Sequence, residues 1–473
     1  MSAAEIGPDT TAVFRGLSRD SHVSVLLGAG ASAAAGLPDW DKFAVDLLTA
    51  SGAITDRDTA RAFLSGQDPA IVAEAAKNAA SKNWCSVLNA SLYGDEPIAP
   101  APLHTATAAL AVHRGHDAIS LFTLNYDHLL EVALHQVLQD TAQTSNSSVF
   151  PRASARPRAD RGSYEVHHLH GYFPPNAESA ESVVLTLSDY NKLGHQQTPW
   201  QAAALAEALQ KGPLILAGTS YRDPDIRQWV HGFTSEDSDA VVIVFLTREG
   251  LGLSRTQFDH VKSALEEQWS ALGVTVIATH DHADAAQALR ELPRLDDEDY
   301  LDPRGRAWNL WDLHVSGFSS LQSSDSSELD HDLSTLREGL PDFHNLTLWL
   351  ADGGGKLVRW AANDRVYRDV NHLRRVSPGH DSDWIAGKCI GRNDLLLRKV
   401  KRRASTARWL SVAAAPLVPE LPGGPPMPCG VISGASTVAA ESLPVDEVDL
   451  AFAELSEKWT GILQARGGGE ANR

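Results

Sequence analysis

The sequence predicts an α/β protein built on a doubly wound parallel sheet, followed by a second domain of α+β type. Three observations carry this expectation. From residue 20 to 295, short apolar runs alternate with stretches of helical character. Several of those runs end in glycine or polar residues, and sheets of this kind bind ligands beyond such strand ends. Past "PRLDDEDYLDPRGR", 293–306, the alternation stops and hairpin-like patterns begin.

Each element has its own warrant. "VSVLL" (23–27) is β-branched, leucine-rich and runs into glycine, so it reads as a buried strand. The helix after it breaks at Gly36-Leu37-Pro38, because proline disfavours helical backbone at the preceding residue. "DWDKFAVDLL" (39–48) reads as a helix with Asp39 as N-cap, and alanine-rich helical character continues over 68–92. "APLHTATAALAV" (101–112) is a helix, "AISLFTLNYD" (118–127) an apolar strand with a polar end, and "HLLEVALHQVLQ" (128–139) the next helix. Residues 140–163 have the composition of a loop or small insertion. "YEVHHLHGYF" and "ESVVLTLSDY" read as strand segments, and Trp200–Lys211 as a helix. "PLILAGTSYRDPDI" (213–226) is a strand into a glycine turn. "AVVIVFLT" (240–247) and "GVTVIATH" (273–280) are buried strands, and "HADAAQALREL" (282–292) is a closing helix.

In the second region "ELDHDLSTLREGL" is helical, and "LTLWLADGGGKLVRWAAND" is a hairpin turning at Asp352–Gly355. "DSDWIAGKCI" leads into a short helix, "RWLSVAAAPLV" and "PCGVISGAST" are strands, and 446–464 is an amphipathic helix. Mostly antiparallel pairing is expected.

Bulk properties narrow the function. A chain of 473 residues exceeds one ordinary core, so two or three domains are expected. Hydrophobic content of 43% and charged content of 21% suit a globular protein. No apolar run is long enough to span a bilayer, and "MSAAEIGPDT" lacks the basic start and apolar core of a secretory leader. Cys85, Cys389 and Cys429 are far apart and form no metal-like pair, which fits a reducing, cytoplasmic setting. A formal charge of −19 opposes nonspecific nucleic-acid binding.

Four stretches offer chemistry. Gly28-Ala29-Gly30-Ala31-Ser32 follows a strand, and glycines there let backbone N–H groups approach a pyrophosphate. A tight turn without any ligand uses the same residues. The early helix break, and the lack of a strand-ending acid about 20 residues on, depart from the dehydrogenase fingerprint. Thr123-Leu124-Asn125-Tyr126-Asp127 sets an amide and a carboxylate at a strand end, where they suit ribose hydroxyls, a carboxamide or a helix cap. His167-His168-Leu169-His170-Gly171 offers an imidazole as general base. On a strand His167 and His170 point to opposite faces, whereas His168 and His170 share one. No cysteine or acid cluster joins them, and no metal is expected. Gly218-Thr219-Ser220, with Asp223 and Asp225, is a second glycine turn that suits a phosphate, a ribose or a capped βα connection.

In order and spacing, GAGAS…GLP, TLNYD, HLHG and GTS resemble the sirtuin family, in particular the sirtuin-like NAD hydrolases of bacterial antiphage defence. The resemblance covers 20–295 and implies a Rossmann-like sheet with NAD as substrate. It implies that Gly28, Ala29, Gly30, Ser32 and Pro38 lie around the pyrophosphate and its loop. Asn125 and Asp127 would face the nicotinamide side and His170 would be the catalytic histidine. Thr219 and Ser220, after Gly218, would touch the adenosine half. Protein-deacylating sirtuins carry two zinc-binding cysteine pairs after the His-Gly. No cysteine occurs here between Cys85 and Cys389. That favours cleavage of NAD to nicotinamide and ADP-ribose over peptide deacylation.

The region 307–466 resembles a GAF domain, a small-molecule sensor fold. Its Arg359, Arg365, Arg368, Arg374, Arg375, Arg392, Arg398, Lys399, Lys401, Arg402 and Arg403 suit a small anionic or phage-derived trigger, a solvated surface or a protein interface. The expected organisation is an N-terminal segment 1–19, a sirtuin-like domain 20–295, a linker 296–306, a sensor domain 307–466 and a flexible tail 467–473. The resemblance implies a cytoplasmic, homo-oligomeric effector of abortive infection. Its rivals are a non-catalytic NAD or ADP-ribose sensor and a zinc-free ADP-ribosyl or acyl transferase.

Overall fold

The structure is a computed structural model that describes residues 6–18, 21–94, 98–141, 148–155, 162–195, 199–219, 223–234, 240–400 and 408–469. Ser220, Lys401, Arg402 and Arg403 lie outside the described residues. The chain divides into two compact units, Arg19–Ala278 and Met1–Ser18 with Thr279–Arg473.

The first unit is built on seven strands: β1 (Val23–Leu27), β2 (Ile119–Thr123), β3 (Ser148–Arg152), β4 (Ser163–His168), β5 (Leu214–Ala217), β6 (Val242–Thr247) and β7 (Val274–Thr279). Their order across the sheet is β3-β4-β2-β1-β5-β6-β7, and the described pairings are parallel. β1, β5 and β6 are buried along their whole length, which is why they read as unbroken apolar runs. After β1 the chain runs to β2 on one side, and it later returns to β5 on the other. This reversal at β1 opens a crevice beyond the strand ends.

The expected helices form with the expected signals. Asp39 caps Trp40–Ala50 by accepting from the Lys42 N–H at 2.7 Å. The alanine-rich stretch splits into Pro69–Ala80 and Trp84–Leu92, with Ser81 at φ 49° between them. Two expectations fail. "ESVVLTLSDY" forms no strand; it ends in the helix Leu187–Gly194, because Thr186 and Asp189 make a capping box. Val183 and Leu185 are buried without pairing, so apolar side chains imitated a strand. The stretch 140–163, expected as loop, contains β3. That edge strand leaves Phe150 42% exposed and holds Pro151, so its sequence lacks the apolar alternation that marks a strand.

The second unit carries a six-stranded antiparallel sheet: β8 (Phe343–Ala351), β9 (Leu357–Ala362), β10 (Arg375–Val376), β11 (Leu396–Lys399), β12 (Ser411–Leu417) and β13 (Gly430–Ser436). Its order is β10-β9-β8-β13-β12-β11, and β8 and β9 form the expected hairpin. Pro303–Ser316, Phe318–Gly339 and Val445–Gly468 pack apolar side chains with the sheet around Trp360, Phe343, Phe452 and Trp459. Ile385–Arg392 joins a smaller cluster with Trp349, Leu357 and Val431. No helix among the described residues is long and apolar enough to cross a membrane.

Candidate active site

Four strand ends lie in one row. Thr123 is in register with both Leu27 and His168, and Leu27 with Ala217. The chain therefore leaves the sheet side by side at Gly28, Leu124, Leu169 and Gly218. The four motifs that were separate in sequence converge there.

The two glycine turns sit on each other. A Cβ at Gly28 would stand 2.6 Å from the Gly218 carbonyl oxygen and 2.8 Å from Thr219 Cα. Gly218 has φ +66°, and a Cβ on it would meet the Ala31 nitrogen at 2.7 Å. The Gly30 N–H donates to Gly218 O at 2.8 Å. Close backbone approach thus requires both glycines. Thr219 Oγ1 is buried at this junction with no hydrogen-bond partner among the described residues, a polar capacity that a ligand group could use. The first helix is short, Ala29–Ala34, and Gly36 at φ 102° ends it. Leu37 then drops into the core beside Phe43, so the loop is anchored, with Pro38 half-buried.

Asn125 is fixed from several sides. Its backbone N–H donates to Thr123 Oγ1 at 3.0 Å. Its Nδ2 donates to Gly28 O at 3.0 Å and to Ser32 Oγ at 2.7 Å. Ser32 passes its hydroxyl hydrogen to Asp127 Oδ2 at 2.7 Å, and Asp127 Oδ1 accepts the Leu129 N–H at 3.0 Å. Both oxygens of Asp127 are thus engaged within the protein, where they brace the start of the helix Leu129–Asp140. The amide hydrogens of Asn125 are used, which leaves Oδ1 to meet a ligand.

The histidines separate. His167 sets its ring edge-on to Phe122 at 4.9 Å, and burial pushes its pKa down. His168 ends β4 and is fully buried between two acceptors, the Asn125 carbonyl at 3.0 Å from Nδ1 and Glu131 Oε1 at 2.6 Å from Nε2. A proton must lie between His168 and Glu131, since a ring lone pair facing a carboxylate is repulsive. Glu131 Oε2 is buried with no hydrogen-bond partner among the described residues. His170 lies beyond the strand, so the shared strand face expected for His168 and His170 does not form. Its Nε2 is 3.3 Å from Asp225 Oδ2 and its Nδ1 is 3.7 Å from Asp223 Oδ2. The ring packs edge-on against Tyr190 at 5.6 Å. Burial alone would push the His170 pKa down, but the charges of Asp223 and Asp225 outweigh it and hold the value above the ordinary one. One nitrogen and two carboxylate oxygens lie within 4.8 Å of one another, yet the carboxylates flank opposite ring nitrogens, which suits a proton better than an ion.

Of the residues singled out in the sequence, Asn125, Ser32 and Asp127 are linked by hydrogen bonds and His170 follows the neighbouring strand end; Glu131, the partner of His168, was not singled out. The sequence left the turn with Asp223 and Asp225 open between a phosphate or ribose site and a capped βα connection; the cap is Asp223, whose Oδ1 accepts the Ile226 N–H at 3.0 Å. Its second oxygen and Asp225 reach His170 only because the helix Pro224–Phe233 starts beside the end of β4. No local signal in the sequence carries that.

Residues 119–277 match the family model described as SIR2-like domain. The match takes in Asn125, Asp127, His170, Gly218 and Thr219 and leaves out the turn Gly28–Ser32. SIR2-like domains are in general NAD-dependent enzymes, and the match fits an NAD-related function. No curated protein is significantly similar to the chain. Among solved structures, the type II free methionine-R-sulfoxide reductase from Thermoplasma acidophilum is 21% identical, with 32% of this chain and 96% of that chain covered and a TM-score of 0.22. So loose a likeness says nothing of this chain's activity.

Proposed function

We propose that the chain is an NAD glycohydrolase that releases nicotinamide and ADP-ribose. The observation that carries this reading is the single row of strand ends from which Asn125, His170, Gly28 and Gly218 all emerge. In this reading the pyrophosphate and adenosine half lie along the interlocked turns at Gly28, Ala29, Gly30 and Gly218, with Ser32 and Pro38 beside them and Thr219 Oγ1 in reach. Ser220 would join them. Asn125 Oδ1 orients the attacking water or a ribose hydroxyl, with Asp127 bracing it through Ser32. His170 takes up a proton from water or from that hydroxyl. The C1′–nicotinamide bond breaks, neutral nicotinamide leaves, water oxygen bonds C1′, and one proton is released. No metal is needed for these steps.

The second unit is a GAF-like sensor in this proposal, and the chain is a cytoplasmic, homo-oligomeric antiphage effector held off until a small anion or phage product is sensed. Arg359 supports an anionic trigger. It sits on β9 with its Nε buried and unpartnered among the described residues. Its neighbour Asp364 is already paired with Arg365 at 2.9 Å.

Incubation with NAD and infected-cell extract, with nicotinamide followed by chromatography, tests the reading. Sound, triggered protein that leaves NAD intact would sink it. One observation favours the rival non-catalytic sensor: both ring nitrogens of His170 already face carboxylates. In that case His170→Ala leaves NAD affinity and signalling nearly unchanged.

A further inference from the structure

We propose that Asp225 is a positioning residue for His170: it takes the imidazole Nε2–H and keeps the ring in its charged, two-donor form until it is displaced. The inference deepens the glycohydrolase reading, on which its account of displacement by substrate rests.

A neutral imidazole has one N–H and one lone pair. With a carboxylate at each nitrogen, one of them would face the lone pair. A second ring proton removes that repulsion and turns both contacts into attractions. The two acids are not equivalent. Asp223 has one oxygen tied to the Ile226 N–H at 3.0 Å, and its other oxygen stands 3.7 Å from Nδ1, too far for a hydrogen bond. Asp225, in the first turn of Pro224–Phe233, has Oδ2 3.3 Å from Nε2. Asp225 therefore accepts the hydrogen bond from the Nε2–H, and Asp223 adds charge and fixes the ring. Tyr190 and Trp229 close the other sides of the ring. Burial raises the Tyr190 phenol well above its usual value, so it stays neutral. Among the described residues, Asp223, Asp225 and Tyr190 are the titratable groups that face His170 from these elements.

A general base must be neutral to accept a proton. His170 as it stands is switched off. Ribose hydroxyls arriving at Nε2 would compete with Asp225. When they displace it, the ring proton passes to bulk water, Asp225 keeps its charge, and Nε2 is free to accept.

The test titrates His170 directly. Full-length protein labelled at the histidine ring carbon is followed by NMR from pH 5 to 9 without NAD, with the His170 signal identified by its loss in His170→Gln. Asp225→Asn keeps the shape and removes the charge, so the midpoint should fall by about one unit or more, and Asp225→Glu should restore it. In parallel, the acid limb of kcat/KM for NAD should move to lower pH in Asp225→Asn, whereas a merely structural role would lower the rate at every pH alike. An unmoved midpoint in folded Asp225→Asn overturns the proposal whatever the activity. A moved midpoint, with no NAD cleavage by the triggered parent protein, supports it and sinks the glycohydrolase reading instead. If Asp225→Asn does not fold, Asp225→Ala serves. It should lower the midpoint in the same way, and no shift there overturns the proposal.

Discussion

His170 in the first unit and His314 in the second are both buried, yet their surroundings hold them in opposite charge states. His314 hydrogen-bonds the Leu310 carbonyl through Nδ1 at 2.7 Å, and its Nε2 accepts from Arg466 at 3.3 Å. Burial pushes its pKa down to about 4, so it stays neutral. Arg466 in turn bonds Asp325 at 2.6 and 3.1 Å, and the Trp360 N–H completes that carboxylate at 2.7 Å. One cation meets one anion, and each takes up the other's hydrogen-bonding capacity. Around His170 two carboxylates meet one ring, and Thr219 Oγ1 and Glu131 Oε2 in the same unit have no hydrogen-bond partner among the described residues. A network that only holds helices together is charge-balanced and closed. One that is neither has capacity left for a ligand or a proton.

That contrast can be broken in several ways. The largest expected effect is catalytic. His170→Ala or Asn125→Ala should cut nicotinamide release by about 100-fold or more, while the melting temperature stays within a few degrees. Unfolding of either variant would make the first network structural too. Next comes Asp325→Ala, which strands Arg466 and Trp360 and should cost about 3 kcal/mol in urea unfolding. A loss below about 1 kcal/mol would show that the second network is not the closed one described. Glu131→Gln should lower kcat about tenfold with little change in KM, because it loosens His168 and through it the Asn125 carbonyl. A raised KM with kcat unchanged would point to substrate binding instead.

The smallest effect is on stability against pH. A histidine in the unfolded chain titrates near 6.5, and His314 in the fold near 4. Between these values the unfolded state binds more protons, so stability falls as pH drops, by at most about 1.4 kcal/mol per unit. His170 has the opposite sign. Its raised value favours the fold at low pH, and that contribution fades as pH rises through the folded value. Urea midpoints at pH 7, 6 and 5 should therefore decline less in His314→Asn and more in His170→Asn than in the parent. The same slope in both variants would erase the distinction.

Much of this architecture was legible in the residues, because burial on both faces leaves an unambiguous mark. β1, β5 and β6 are apolar throughout. The hairpin β8–β9 turns at glycines, and Asp39 announces its helix. What misled was apolar content without pairing at 183–185, and pairing without apolar alternation at 148–152. The identities of Asn125, Asp127, Ser32 and His170 stood out because polar residues at the ends of buried strands are conspicuous.

By itself, then, the sequence determined which strands are buried, where glycine must replace any side chain, and which polar residues end those strands, since these depend on local patterns of burial and backbone freedom. Only the tertiary structure decided that Leu27, Thr123, His168 and Ala217 stand in one row. It alone gave His168 to Glu131 and His170 to Asp223 and Asp225. The charge of an imidazole depends on what stands within about 4 Å of each ring nitrogen, and in this chain those neighbours lie 37 to 55 residues away.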